Sequence, residues 1–248
     1  MADGATRARF VTTSWDDGHR ADLQIAKLLH KRGIGGTFYV PLMPYRGQDV
    51  LEPAELRELS AQGFEVGAHS VSHQNLSGLS GQALTDEVAP CKPFLEEILG
   101  REVRMFCYPG GRYSRDVLQA LKAAGYRGAR TVRMLATSLD SGPFEMAVSL
   151  QAYPHSTLSY LKNVGRGRKP ESLKNGWKHR GALANWLELG KKLFDEVMLK
   201  GGVWHLYGHS WEIDQLGLWA ELEEMVDYVG LRKEAAYVCN GDLLDTAR

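Results

Sequence analysis

No run of about 18 apolar residues occurs anywhere in the 248-residue sequence, so no membrane span is expected. The first ten residues, MADGATRARF, lack the apolar core of a secretory signal, which makes the cytoplasm the expected compartment. An excess of charge of either sign is missing too. Lys and Arg total 30 and Asp and Glu total 30, so nothing draws the chain as a whole to nucleic acid or to an anionic membrane. Cysteine is scarce: Cys91, Cys107 and Cys239 are odd in number and far apart, as reduced core thiols are, and do not form a disulfide framework. A dinucleotide fingerprint is absent as well, since no GxGxxG follows the first strand-like run.

What is present is an alternation of two periodicities. RFVTTSW, GTFYVP, FEVGAH, RMFCYP, YRGART, MAVSLQAYP and GGVWHLYGH read as strands, with AAYVCN as a last candidate. Between them RADLQIAKLLHKRG, PAELRELSAQG, SRDVLQALKAAG, Ala182 to Lys200 and LGLWAELEEMVDYVG read as helices. A further helix from Gln82 to Leu99 must kink or split at Pro90 and Pro93. Seven or eight strands in a chain of this length predict an α/β fold, a parallel (β/α) barrel in a single domain over residues 1–248. One stretch breaks the alternation. Residues 161–181, LKNVGRGRKPESLKNGWKHRG, carry Lys162, Arg166, Arg168, Lys169, Lys174, Lys178 and Arg180 against Glu171 and read as an inserted basic loop, either solvated or a lid over substrate. Trp177 is the residue in it that solvent would waste.

In such barrels chemistry sits at the C-terminal ends of the strands. That rule collects Asp16 and Asp17 after the first strand, His69 after the third with His73 four residues on, the Tyr108-Pro109-Gly110-Gly111 turn, and His209 after the late strand. Two histidines at i and i+4 can face one way if the loop takes a helical turn, and imidazole suits zinc and similar metals. A third ligand is then needed, and either aspartate can supply it, which would relieve the repulsion between adjacent carboxylates. Period-two alternation points both His205 and His209 at the barrel interior, with only His209 at the C-terminal end. His205 reads as a hydrogen-bonded core residue.

These motifs resemble a known family. SWDDG is similar to T-F-D-D-G, HSVSH to H-[ST]-x-x-H, and FCYPGG to the third motif of the polysaccharide deacetylases with the NodB homology domain, carbohydrate esterase family four. The resemblance implies a distorted (β/α) barrel holding one divalent metal on Asp17, His69 and His73. Zinc is the first choice of ion, and cobalt, nickel or manganese also suit such a ligand set. It implies Asp16 as general base, His209 as general acid, and Tyr108 and Gly110 as the oxyanion and substrate region, with glycine allowing close backbone approach; the Tyr108 ring and Trp211, just past His209, are candidate sugar contacts. The implied reaction removes an N-linked acetyl group from an amino sugar, oligosaccharide or sugar conjugate. Two other readings stand beside it: an allantoinase-like amidohydrolase acting on a non-sugar C–N bond, and a carbohydrate-binding relative without turnover.

Two departures are visible. Cys107 stands where the family commonly has an arginine that orients the base aspartate, leaving Arg112 and Arg130 as candidates, with Arg130 preferred. The acidic-aromatic fourth motif has no counterpart between Met134 and Pro154.

Overall fold

Alternation along the first strand sets the architecture. In β1, Arg9–Asp16, Thr12, Ser14 and Asp16 face one way and meet polar partners, whereas Val11 and Trp15 face the other way into the apolar core. The strands that follow are β2 Gly36–Val40, β3 Glu65–Ala68, β4 Met105–Cys107, β5 Gly128–Arg130, β6 Leu150–Gln151, β7 Gly202–Gly208 and β8 Ala236–Tyr237. All pair in parallel in the order β5-β4-β3-β2-β1-β7-β6, with β8 added beside the start of β1. The computed structural model describes residues 8–45, 47–140, 142–167 and 169–246, so Arg168 of the basic stretch lies outside the described residues.

The helices are α1 Asp22–Lys31, α2 Pro53–Ala61, α3 Gly81–Val88, α4 Cys91–Leu99, α5 Arg115–Ala123, α6 Thr157–Gly167, α7 Pro170–Lys178, α8 Trp186–Lys200, α9 Ser210–Leu216, α10 Trp219–Val229 and α11 Asn240–Thr246. The main core lies between the outer face of the sheet and these helices. Trp15, Phe38, Phe106, Tyr108, Trp204 and Leu206 pack there against Ile25, Leu29, Leu121 and Phe194. Burying each large side chain of this kind contributes about 1.5–3 kcal/mol. Trp204 also donates its indole N–H to the Gly190 carbonyl at 2.9 Å. The barrel interior is mixed by contrast: Thr12 and Tyr39 bond Asn240, Ser14 lies 2.8 Å from His205, and Tyr39, Met105 and Cys107 form a small second cluster.

The expected barrel is therefore present as a curled parallel sheet, but regular strands do not close it. Between β5 and β6 the chain runs irregularly, and its backbone groups pair one at a time. Thr131 N–H donates to Met146, Val148 to Arg133, Leu135 to Ser149 and Ser149 to His205, at 2.8–2.9 Å. The stretch read as a basic loop covers this region, and it is not a loop. Residues 161–181 form most of α6, all of α7 and part of a following short turn.

Gly165 and Pro170 gave it the look of a loop. Proline at the first position of α7 costs nothing, because the N–H it lacks has no intrahelical partner there. Docking holds the pair in place. Tyr160 and Val164 are buried, Asn163 bonds Met134 N–H (2.9 Å) and the Val132 carbonyl (2.8 Å), Asn175 donates to the Leu135 carbonyl (2.9 Å), and Glu171 accepts from Thr137 N–H (2.8 Å). These side chains supply the hydrogen bonds that a neighbouring strand would have given. Trp177 is nevertheless 74% exposed, with the Arg180 guanidinium 4.9 Å from its ring centre.

The helix expected from Gln82 to Leu99 splits into α3 and α4 at Ala89-Pro90, as its prolines require. Helices α9 and α11 are additions to the sequence reading. No described helix is long and apolar enough to cross a membrane.

Candidate active site

The two carboxylates of β1 leave the strand in different directions. Asp16 is the last inward-facing residue, and a continued strand would turn Asp17 outward. Asp17 instead takes a left-handed conformation (φ 77°), which short polar side chains tolerate, and swings back over the barrel mouth. Gly18 follows, also left-handed; a Cβ there would lie 2.9 Å from a Val40 methyl.

Asp17 Oδ1 faces two imidazoles, with His73 Nε2 at 3.1 Å and His69 Nε2 at 3.5 Å, yet makes no hydrogen bond. In a tetrahedral zinc site, ligand bonds of about 2.0–2.2 Å put neighbouring ligand atoms about 3.3 Å apart. The two spacings from Asp17 Oδ1 match that value, all three ligand atoms lie within 4.8 Å of one another, and with the unpartnered buried oxygen the group fits a cation. Asp17 and His69 are also held from behind by hydrogen bonds, whereas the buried Nδ1 of His73 has no hydrogen-bond partner among the described residues. Trp211 donates its indole N–H to Asp17 Oδ2 (2.9 Å), and His69 Nδ1 is tied to the Cys107 carbonyl (2.8 Å), which turns Nε2 toward the site. His73, itself left-handed (φ 57°), stacks on Tyr45 with ring centres 3.7 Å apart. Glu87 of α3 fastens the loop that carries it, through Ser72 N–H (3.0 Å), Ser72 hydroxyl (2.7 Å) and Gln74 (2.7 Å). Burial disfavours the Asp17 carboxylate, but the two histidines outweigh that and hold its pKa far below the ordinary range.

Asp16 has a different environment. Arg130 donates to its Oδ1, and the Cys107 thiol lies 3.6 Å from its Oδ2. Cys107 and Arg130 are register partners on β4 and β5, so an arginine from the adjacent strand reaches the carboxylate at the level where Cys107 stands. The Arg130 guanidinium is fully buried, with the Tyr207 and Tyr39 ring centres 4.8 and 5.4 Å away. Burial pushes the Asp16 pKa up, and the charge of Arg130, followed by His69 and His209, brings it below its ordinary 3.8. Arg112, the alternative considered from sequence, does not reach Asp16; it is exposed and makes no ion pair among the described residues.

His209 caps α9 with its Nε2 4.0 Å from Asp16 Oδ2. Its Nδ1 bonds Glu212 at 2.7 Å. Glu212 also accepts from Gln151 (3.0 Å), whose own carbonyl oxygen accepts from Tyr207 (2.6 Å) and His155 (2.8 Å). Burial works against a charged imidazole here, but Glu212, Asp16 and Asp17 together raise the His209 pKa above 6.5. His205 lies deeper. Burial, together with the Arg130 charge, takes its pKa down to about 3, so it is a neutral core residue bonded to Ser14.

Tyr45, His69, His73, Gly110, Val132, Tyr207, His209, Trp211 and Glu212 surround the two aspartates in a cleft of about 300 Å³. Gly110, left-handed at φ 60°, lines it with open space above its Cα. The Tyr108 side chain does not. Strand alternation turns Met105 and Cys107 inward and Phe106 and Tyr108 outward, so the Tyr108 ring stacks on Tyr113, its hydroxyl bonds Phe144, and its backbone N–H donates to Arg130. Glu212, Tyr45 and Glu87 were not singled out from sequence. Only Glu212 had a signal, its position three residues after His209.

The family model for polysaccharide deacetylases matches residues 3–129, just over half of the chain, and its matched range includes Asp16, Asp17, His69 and His73. The Bacillus subtilis protein YxkH, whose name places it among these deacetylases, is 26% identical over 137 residues, 55% of this chain and 49% of its own. The chain spans about half the length of the curated relatives it matches. Solved structures share the fold at low identity. A Mycobacterium smegmatis protein named for the polysaccharide deacetylases gives a TM-score of 0.67 at 14% identity over 98% of this chain and 92% of its own. The Bacillus anthracis protein BA3943, named as a pseudoenzyme of carbohydrate esterase family four, gives 0.56 at 15% identity over 96% and 66%. With the match to the family model running from the N-terminal residues through β1 and β3 into β5, the chain belongs to the polysaccharide deacetylase family.

Proposed function

We propose that this chain is a metal-dependent hydrolase that removes an N-linked acetyl group from an amino-sugar unit of a polysaccharide or smaller glycan. The observation that carries the reading is the unequal treatment of two adjacent carboxylates: Asp17 faces two imidazoles with a buried, unbonded oxygen, while Asp16 is bound by Arg130. Asp17, His69 and His73 would hold a divalent cation, zinc by default, which when bound would supply Lewis-acid chemistry for the acetyl carbonyl and the attacking water.

The chain's own groups do the rest. Asp16, kept ionised by Arg130, accepts the proton of that water as it adds to the carbonyl carbon. Gly110 lets the backbone approach the developing oxyanion closely, since no side chain stands in the way. His209, whose charged form Glu212 favours, donates its Nε2 proton to the nitrogen as the C–N bond breaks, and acetate and a free amine result. The 4.0 Å between His209 and Asp16 puts acid and base on one small reaction space.

The fold alone does not carry this reading, because a family pseudoenzyme shares it. What supports turnover is the joint presence of base, acid and ligand set. The test is acetate release from N-acetylglucosamine oligomers by metal-loaded protein, lost on chelation and restored by added zinc. Ammonia release or ring opening of cyclic amides without acetate release would replace the proposal with the amidohydrolase reading. Glycan binding with no turnover under any metal would replace it with the binding-protein reading.

A further inference from the structure

The reaction cleft does not end at Gly110 and Val132. Those two residues also line a second, larger chamber of about 620 Å³, walled by Arg112, Tyr113, Arg133, Glu145, Asn163 and Lys169 among others. Its charge is unbalanced, with three cations around one carboxylate. Glu145 is already committed: it accepts from the Tyr113 hydroxyl and lies 3.6 Å from Arg133 and 3.9 Å from Lys169. The Tyr113 hydrogen bond, against some burial and aided by both cations, lowers its pKa, so it stays charged and cannot offset more than one of them. Arg133 is also anchored, donating to the Glu145 carbonyl at 2.5 Å. Arg112 is exposed and makes no ion pair among the described residues.

At the reacting end each carboxylate already has its own partner. Asp16 is matched by Arg130, Asp17 faces two histidines, and Glu212 is bonded to His209. The positive charge is therefore concentrated one chamber away from the chemistry, on residues from the Gly110 turn, the irregular stretch after β5 and the start of α7. Lys169 belongs to the basic stretch that the sequence singled out, and the deacetylation steps leave it without a role.

We propose that this chamber is an anion subsite, and that the acetylated sugar carries a carboxylate or phosphate beside the unit that reacts. The subsite rests on the deacetylase reading for its place next to the acetamide, but its anion preference is independent of turnover. Two or three solvent-accessible cations facing one anion give a preference of about tenfold, since each such pair is worth little alone and salt screens it.

The test compares three oligosaccharides of equal length on metal-loaded protein: neutral N-acetylglucosamine, the same chain with a neighbouring glucuronate, and the same chain with a neighbouring 6-phosphate. The wild-type protein is expected to show kcat/KM about tenfold higher for one anionic substrate, with the difference in KM and shrinking at high salt. Whichever arm shows it identifies carboxylate or phosphate. In the Arg112→Gln/Lys169→Gln double variant the ratio of anionic to neutral kcat/KM falls toward one. Equal kcat/KM for all three in the wild type, or an unchanged ratio in the double variant, overturns the subsite. If none of the three releases acetate, the deacetylase reading fails and calorimetric binding of the same compounds decides the subsite. Tighter binding of an anionic arm that the double variant loses upholds it, and equal binding overturns it.

Discussion

The stretch from β1 to β5 and the stretch from there to His209 solve the same packing problem differently. In the first, each strand hands over to helices and back, and the residues at the strand ends are Asp16, Asp17, His69 and the Gly110 turn. In the second, the backbone from Thr131 to Ser149 pairs irregularly and relies on Asn163, Glu171 and Asn175 from α6 and α7 to complete its hydrogen bonds. The match to the family model ends where the irregular region begins. The proposed metal ligands and base thus sit on the regular part, and the wall that would meet the rest of the substrate sits on the irregular part. His209 and Glu212 bridge the two, since β7 pairs with β1 on one side and β6 on the other.

The sharpest break of this comparison is at His209. If the late strand supplies the proton donor, His209→Ala lowers acetate release by about 10²- to 10⁴-fold while metal content stays at the wild-type level. Glu212→Gln, which leaves His209 in place but removes its charged partner, is expected to cost about tenfold. It also lowers the His209 pKa, so the alkaline limb of the rate profile moves to lower pH. A rate insensitive to His209→Ala would move the acid role elsewhere.

A second break tests the exchange between β4 and β5. Arg130→Met leaves Asp16 buried without its cation. Its pKa then rises, the acid limb of the rate profile moves to higher pH, and the rate falls about 100-fold. Because residues 107 and 130 are register partners, placing arginine at 107 in that variant returns a cation to the same level of the barrel. Cys107→Arg/Arg130→Met is expected to recover part of the loss, and a double variant no better than the single one would show that position along the strand is insufficient.

The smallest effect concerns Asp22 at the start of α1, a buried carboxyl with neither oxygen hydrogen-bonded. Burial raises its pKa well above 3.8 against the opposing Ser210 hydroxyl, and the charges of the nearby Asp17 and Asp16 add to the rise. The folded state thus binds a proton that the unfolded state releases. Asp22 contributes least cost below its unfolded pKa, and stability is lost as pH rises from there toward the folded value. Asp22→Asn is expected to raise stability by about 1 kcal/mol near neutral pH and by less in acid, read from denaturation midpoints at the two pH values. Equal effects at both would assign the gain to packing.

How much of this was legible in the sequence follows the same division. The strand and helix alternation of the first stretch was readable because its periodicities are clean, and the DDG and HSVSH motifs fall at strand ends that the periodicity itself locates. Arg130 could be named as a candidate but not placed, because its meeting with Asp16 depends on strand register. Alternation along FCYP already pointed Tyr108 outward, though the motif drew attention to it as a contact. The helices α6 and α7 were hidden by Gly165 and Pro170, since what stabilises them is docking onto an irregular backbone that no local pattern announces.

The central claim is that Asp16 and Asp17, adjacent in the chain, hold separate jobs. Metal content and acetate release measured side by side on Asp16→Asn and Asp17→Asn test it most directly. The account predicts that Asp16→Asn keeps wild-type metal and loses turnover by on the order of 10³-fold, while Asp17→Asn loses both. Metal lost from Asp16→Asn, or turnover retained by it, would contradict the assignment.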